Sequence, residues 1–67
     1  MNIAEKMVIE SRLMGRIADW MHQHGEVLFD RQQSNVYTGV RIREIRWQDC
    51  TYCIVDVDGM TRQIERL

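Results

Sequence analysis

A chain of 67 residues forms one domain over 1–67 and hides only roughly 60% of the surface its extended form would expose, so help from a disulfide, a metal or a partner chain is expected. Its 45% apolar and 28% charged residues exclude general disorder, and the lack of proline with only four glycines excludes a linker or low-complexity tail. Nine basic against ten acidic side chains leave a net charge of −1, which excludes tight non-specific DNA binding by long-range attraction.

The first predicted element is a helix over residues 3–24. Asn2 is a good N-cap, and Glu5 three residues later completes a capping box. No breaker follows until Gly25, which stands at C′, while His22 and His24 face the negative end of the helix dipole. Gly15 costs up to about 1 kcal/mol against alanine, a sign of close packing or of a tolerated weakness. Lys6, Glu10, Arg12 and Arg16 interrupt the apolar run, so it is neither a secretory core nor a membrane span of about 20 apolar residues. A soluble cytoplasmic protein without membrane contact is therefore expected, with Cys50 and Cys53 as thiols or metal ligands rather than a structural disulfide.

Projected at 100° per residue, Ile3, Ala4, Met7, Ile9, Leu13, Met14, Ile17, Ala18, Trp20 and Met21 fill an arc of about 220°, where packing on one sheet needs about 100°. Either Ile9 and Trp20 lie half exposed at the rim, or the outer side of the helix meets another chain, most simply a second copy. We favour the second reading, a homodimer.

Beyond Gly25 the period changes to that of strands, expected over about 26–30, 36–47, 50–57 and 60–66, with Arg31 to Asn35 as a polar loop. In the second strand Val36, Val40 and Ile42 share one parity and Ile45 and Trp47 the other. A bulge near Arg43-Glu44 would return all of them to one side, and Gly39 marks a further kink. Gln48-Asp49 makes the next turn, and Asp58-Gly59 predicts a two-residue type I′ hairpin. In that register Val57 faces Met60, Val55 faces Arg62 and Cys53 faces Ile64. Cys53, Val55, Val57, Met60 and Ile64 then form the core face, and Tyr52, Ile54, Asp56, Thr61, Gln63 and Glu65 a mixed outer face. Arg62 falls on the apolar side and has to snorkel or pair.

The fold class is α+β: a long N-terminal helix packed on a four-stranded antiparallel meander, curled as an SH3-like or Sm-like barrel, with a flatter layered arrangement as the alternative. The run Tyr52 to Ile64 resembles the strand–turn–strand of small Sm-like and SH3-like β domains, a generic pattern from which no functional residue is carried over.

Cys50-Thr51-Tyr52-Cys53 has C-x-x-C spacing. A redox pair of that spacing opens a helix, whereas this one lies in a strand, where residues three apart point to opposite faces. A zinc alternative would need His22 and His24 with Cys50 and Cys53, and the two histidines stand about 200° apart on a helix. Core packing for Cys53 and a turn position for Cys50 account for them with less. No catalytic motif or phosphate loop appears, Asp56 and Asp58 flank a hairpin turn, and an enzyme or a cofactor is not expected.

Eight of the nine cations are arginine, the type suited to forked contacts with carboxylates, phosphates and ring faces. Tyr37, Arg41, Arg43, Arg46 and Trp47 interleave such cations with aromatic groups. They suit a protein hot spot, a stacking surface for single-stranded RNA or DNA, or a solvated strand face. The leading expectation is a non-enzymatic binding or regulatory protein that docks on a larger protein or complex as a homodimer, through Ile9, Leu13 and Trp20 and the arginine strand. A small RNA- or single-stranded-DNA-binding regulator is the alternative.

Overall fold

The computed structural model describes the backbone of residues 3–67 and the side chains of residues 12–67. The expected capping box at Asn2 and Glu5, and Ile9 of the docking surface, lie outside the described side chains. Helix α1 runs Ile3–His24, followed by β1 Glu26–Ser34, β2 Gly39–Trp47, β3 Cys50–Val57 and β4 Met60–Arg66. The strands form one antiparallel sheet in the order β1-β2-β3-β4, with α1 packed on β4 and β2.

The α+β layering follows the periodicity, but the barrel does not form. The sheet is open, with β1 and β4 as its two edges. The predicted closure relied on a bend in β2 near Arg43-Glu44, yet β2 pairs with β3 in unbroken register from Val40↔Val57 to Trp47↔Cys50. The switch in apolar parity along β2 is therefore literal. Ile45 and Trp47 face the helix, and Val40 and Ile42 face the other way.

The bulges lie elsewhere. One sits between Val27 and Phe29, leaving Leu28 unpaired, and the other between Val55 and Asp56, leaving Arg62 unpaired. The hairpin begins as expected at Val57↔Met60, then slips, so that Val55 faces Gln63 and Ile54 faces Ile64. This inverts the expected assignment of faces. Ile54, Asp56 and Thr61 are buried beneath the helix, with Ile64 packed against them, while Cys53, Val55, Val57 and Met60 lie on the far side. The misfit of Arg62 in the regular register was the trace of this bulge, which moves it off the ladder.

Two further expectations shift. The polar run after Asp30 is not a loop, because β1 continues to Ser34, and Gly39 begins β2 rather than kinking it. At Gly15 an added Cβ would come no nearer than 3.9 Å to Thr61 Oγ1, an ordinary contact, so the helix is not pressed on the sheet there.

Both hairpin turns are left-handed at their two central residues, at φ 49° and 63° for Gln48 and Asp49 and 52° and 81° for Asp58 and Gly59, the type I′ pattern that matches strand twist. Only the second has a glycine. Asp49→Gly should therefore raise stability by about 0.5–1 kcal/mol by relieving a left-handed side-chain conformation. An unchanged urea midpoint would count against strain in that turn.

Among the described residues Ala18, Met21, Ile45 and Ile54 are buried, with Trp47, Tyr52 and Ile64 packed partly against them.

Candidate functional site: a charged cleft and a bare sheet face

The polar end of the helix-covered face is organised around Asp56. Arg43 Nη2 donates to Asp56 Oδ2 at 2.8 Å, and Thr61 Oγ1 donates to Asp56 Oδ1 at 2.7 Å. All three residues are buried, at 3% exposure for Arg43, 9% for Asp56 and 6% for Thr61. A buried carboxylate must be matched at both oxygens to be tolerated, and here each oxygen has its own donor. His22 Nδ1 lies 3.4 Å from Arg43 Nη1, and Arg43 Nε has no partner among the described residues. Strand register explains the grouping: Asp56 pairs with Thr61 on one side and with Arg41 on the other, and Arg43 projects on the same side two residues along.

Beside this network, a cleft of about 630 Å³ separates Arg12, Gly15 and Asp19 of the helix from Gln32, Arg41 and Asp58 of the sheet. Arg41 grips Asp30 through Nε at 2.9 Å and Nη2 at 2.7 Å. The bond to Arg41 holds the Asp30 carboxyl below its ordinary 3.8, and the same bond raises Arg41. A depressed carboxyl contributes stability above its unfolded value, and that contribution is lost as pH falls through the folded one. Asp30→Asn should therefore weaken the acid dependence below about pH 4, by a small amount because the pair is about one-third exposed. Urea titrations at pH 3 and 6 that show the same difference for both proteins would contradict it.

Asp58 ties the cleft to the β1–β2 loop. Its Oδ1 accepts from Gly39 N at 2.8 Å and from Thr38 Oγ1 at 3.2 Å. Asn35 Oδ1 closes the loop by accepting from Tyr37 N and Thr38 N, both at 2.8 Å, leaving Val36 and Tyr37 each 93% exposed at its tip. The cleft carries both charge signs in balance, with Arg12, Arg41 and Arg43 against Asp19, Asp56 and Asp58.

The sequence-derived surface is thus divided. Arg41 and Arg43 lie on the helix-covered face and are engaged by Asp30 and Asp56, while Trp47 packs at the margin of the core. Arg46 points to the far face, and Tyr37 stands in the loop beyond the opposite end of β2 from Trp47. No continuous aromatic and arginine platform results. Asp56 was expected as a cross-strand partner of the arginines, but on a solvated face, and Thr61 was missed as a network member because its polarity reads as solvent-facing; the signal was the buried parity they share with Ile54.

Cys50 and Cys53 lie on opposite faces, as their spacing in a strand dictates, and both are free thiols. His22 turns toward Arg43, whereas the His24 ring rests against Trp20 with centroids 4.0 Å apart. These four groups do not converge, and among the described residues no set of three or more His, Cys, Asp or Glu gathers as metal ligands. No described helix is long and apolar enough to cross a membrane.

Two apolar surfaces remain open. On the helix Leu13, Ile17 and Trp20 are 56%, 45% and 55% exposed, on the side turned away from the cleft-lining Arg12 and Asp19. On the sheet, the face opposite the helix carries Phe29, Val40, Ile42, Val55, Val57 and Met60. Every residue of β1 is exposed.

Comparison with protein-family models, with curated proteins and with solved structures finds no match to this chain.

Proposed function

We propose that the chain is a small non-enzymatic binding or regulatory protein that works as a homodimer and docks on a larger protein or complex. The observation that carries this reading is the apolar surface left open on both layers, while the described enclosed core amounts to four side chains. Contiguous exposed apolar surface of this kind is characteristic of interaction sites. The outer helix stripe of Leu13, Ile17 and Trp20 is the docking element, since its i, i+4, i+7 spacing presents one ridge to a groove.

The internal ion pairs favour protein over nucleic acid as the ligand. A phosphate would have to compete with Asp30 for Arg41 and with Asp56 for Arg43, and the ring beside Arg43, His22, stands over a guanidinium that is buried rather than open to a base.

Pull-down from the source cell with the native chain and with Leu13→Asp tests the reading. The native chain should retain one large partner that the variant loses, with both giving the same circular dichroism spectrum. Equal retention by the folded variant would overturn the docking element. A titration with single-stranded oligonucleotides at low salt should show no binding; affinity that falls steeply with salt and with Arg41→Ala would favour nucleic acid instead.

A further inference from the structure

The far face of the sheet has the shape, size and charge pattern to be covered by a second copy of itself, and we propose that it forms the homodimer interface on which the reading above rests. The strands would lie face to face about a two-fold axis running along them, between β2 and β3.

Size is the first argument. One partner in a standard protein interface buries about 800 Å². A face four strands wide and about eight residues long offers roughly 500 Å² in projection before side-chain relief, the same order.

Shape is the second. Register sets Met60 beside Val57 and Val40 at the β4 edge, where it is 42% exposed. Toward the opposite edge of the same face, Phe29, Arg31, Gln33, Val40 and Ile42 surround a hollow of about 170 Å³, room for one large apolar side chain. A two-fold along the strands exchanges the β4 edge with the β1 edge and keeps the level along the strands. It therefore carries Met60 of each copy over the hollow of the other. An unbranched methionine suits such an irregular socket, and the contact is reciprocal, as an isologous interface requires.

Charge is the third. Glu44 and Glu65 share one level of the face, with Arg46 and Arg31 on the neighbouring levels. Because the axis keeps the level, Arg31 on β1 of one copy comes over β4 of the other one step from Glu65, an opposite-charge contact that offsets the approach of the two Glu44 carboxylates.

The native cysteines supply the test. Cys53 is on the proposed interface and Cys50 is on the other face of the same strand. Light scattering should give twice the 8.0 kDa mass for the native chain and the single mass for Ile42→Asp and Met60→Asp. Alkylation of Cys53, read against Cys50 in the same molecule, should slow about tenfold once nine-tenths of the chain is paired. Should either variant fail to fold, the concentration dependence of Cys53 alkylation in the native chain still decides. A dimer whose Cys53 reacts equally fast at all concentrations would overturn this interface and leave the homodimer standing on another surface. A native chain that stays monomeric across micromolar concentrations would remove both.

Discussion

Arg43→Leu should lower stability by about 3–5 kcal/mol, because it strands a buried carboxylate rather than merely deleting a contact. Asp56 is 9% exposed and takes one hydrogen bond from Arg43 at 2.8 Å and one from Thr61 at 2.7 Å. Without the guanidinium, a full negative charge would remain beneath the helix with a neutral hydroxyl as its described donor. A domain of this length has a total stability of roughly 3–10 kcal/mol, so the single variant loses a large fraction of it. The diagnostic partner is Arg43→Leu with Asp56→Leu. Replacing both charges removes the desolvation problem together with the attraction, and most of the loss should return. Urea unfolding at one fixed protein concentration checks this, since dimerisation would make the midpoint depend on concentration. A double variant no more stable than the single one would show that the ion pair is not what Arg43 contributes.

Gly25→Ala should cost about 2–3 kcal/mol for a different reason, the lack of any space for a methyl group. Gly25 N closes the last helical turn on Met21 O at 2.7 Å, and the chain enters β1 at the next residue. A Cβ there would stand 2.7 Å from Ile45 Cγ2 and 2.8 Å from both Arg46 O and Met21 O. Two of the three obstacles are backbone atoms, one in the helix and one in β2, so relief requires moving the helix off the sheet. Gly59 offers the contrast. Its φ of 81° demands a left-handed backbone, yet nothing lies within 4 Å of an added Cβ, so Gly59→Asn should cost no more than about 1 kcal/mol. Thermal midpoints for the two variants should separate clearly; equal midpoints would show that the helix–strand junction gives way easily.

The elements themselves follow from local chemistry in the sequence. The helix and its stop at Gly25 and the two-residue turns at Gln48-Asp49 and Asp58-Gly59 rest on propensities within a few residues, whereas the first turn falls at 35–38 rather than in the polar run after Asp30. Which side of the sheet lies inward does not. Val40 and Ile42 on one parity and Ile45 and Trp47 on the other leave β2 apolar on both faces, so its pattern cannot nominate the covered one. The decision is made across strands, where Arg43, Asp56 and Thr61 satisfy one another and so become tolerable under the helix. A bulge at Arg62 then brings Ile64 to the same side, and nothing within β4 announces it beyond the awkwardness of that arginine. For the binding surface, the excess apolar arc of the helix pointed to Leu13 and Trp20, both exposed. The engagement of the arginine strand was less legible, because pairing with Asp30 and Asp56 depends on contacts eleven and thirteen residues distant.

The sheet order, identical to the order in sequence, bears on how the chain acquires its structure. Each strand pairs with its immediate neighbour in the chain, two of the three junctions being two-residue turns, so the ladder can close outward one hairpin at a time with little loop entropy at any step. The seating of α1 on β4 and β2 is what joins distant parts of the sequence. Mixed helix–sheet topologies fold between the microsecond-to-millisecond range of helical bundles and the millisecond-to-second range of all-β domains. Self-association would then act on finished sheets, and its rate, unlike the rate of folding, would scale with how much protein is present.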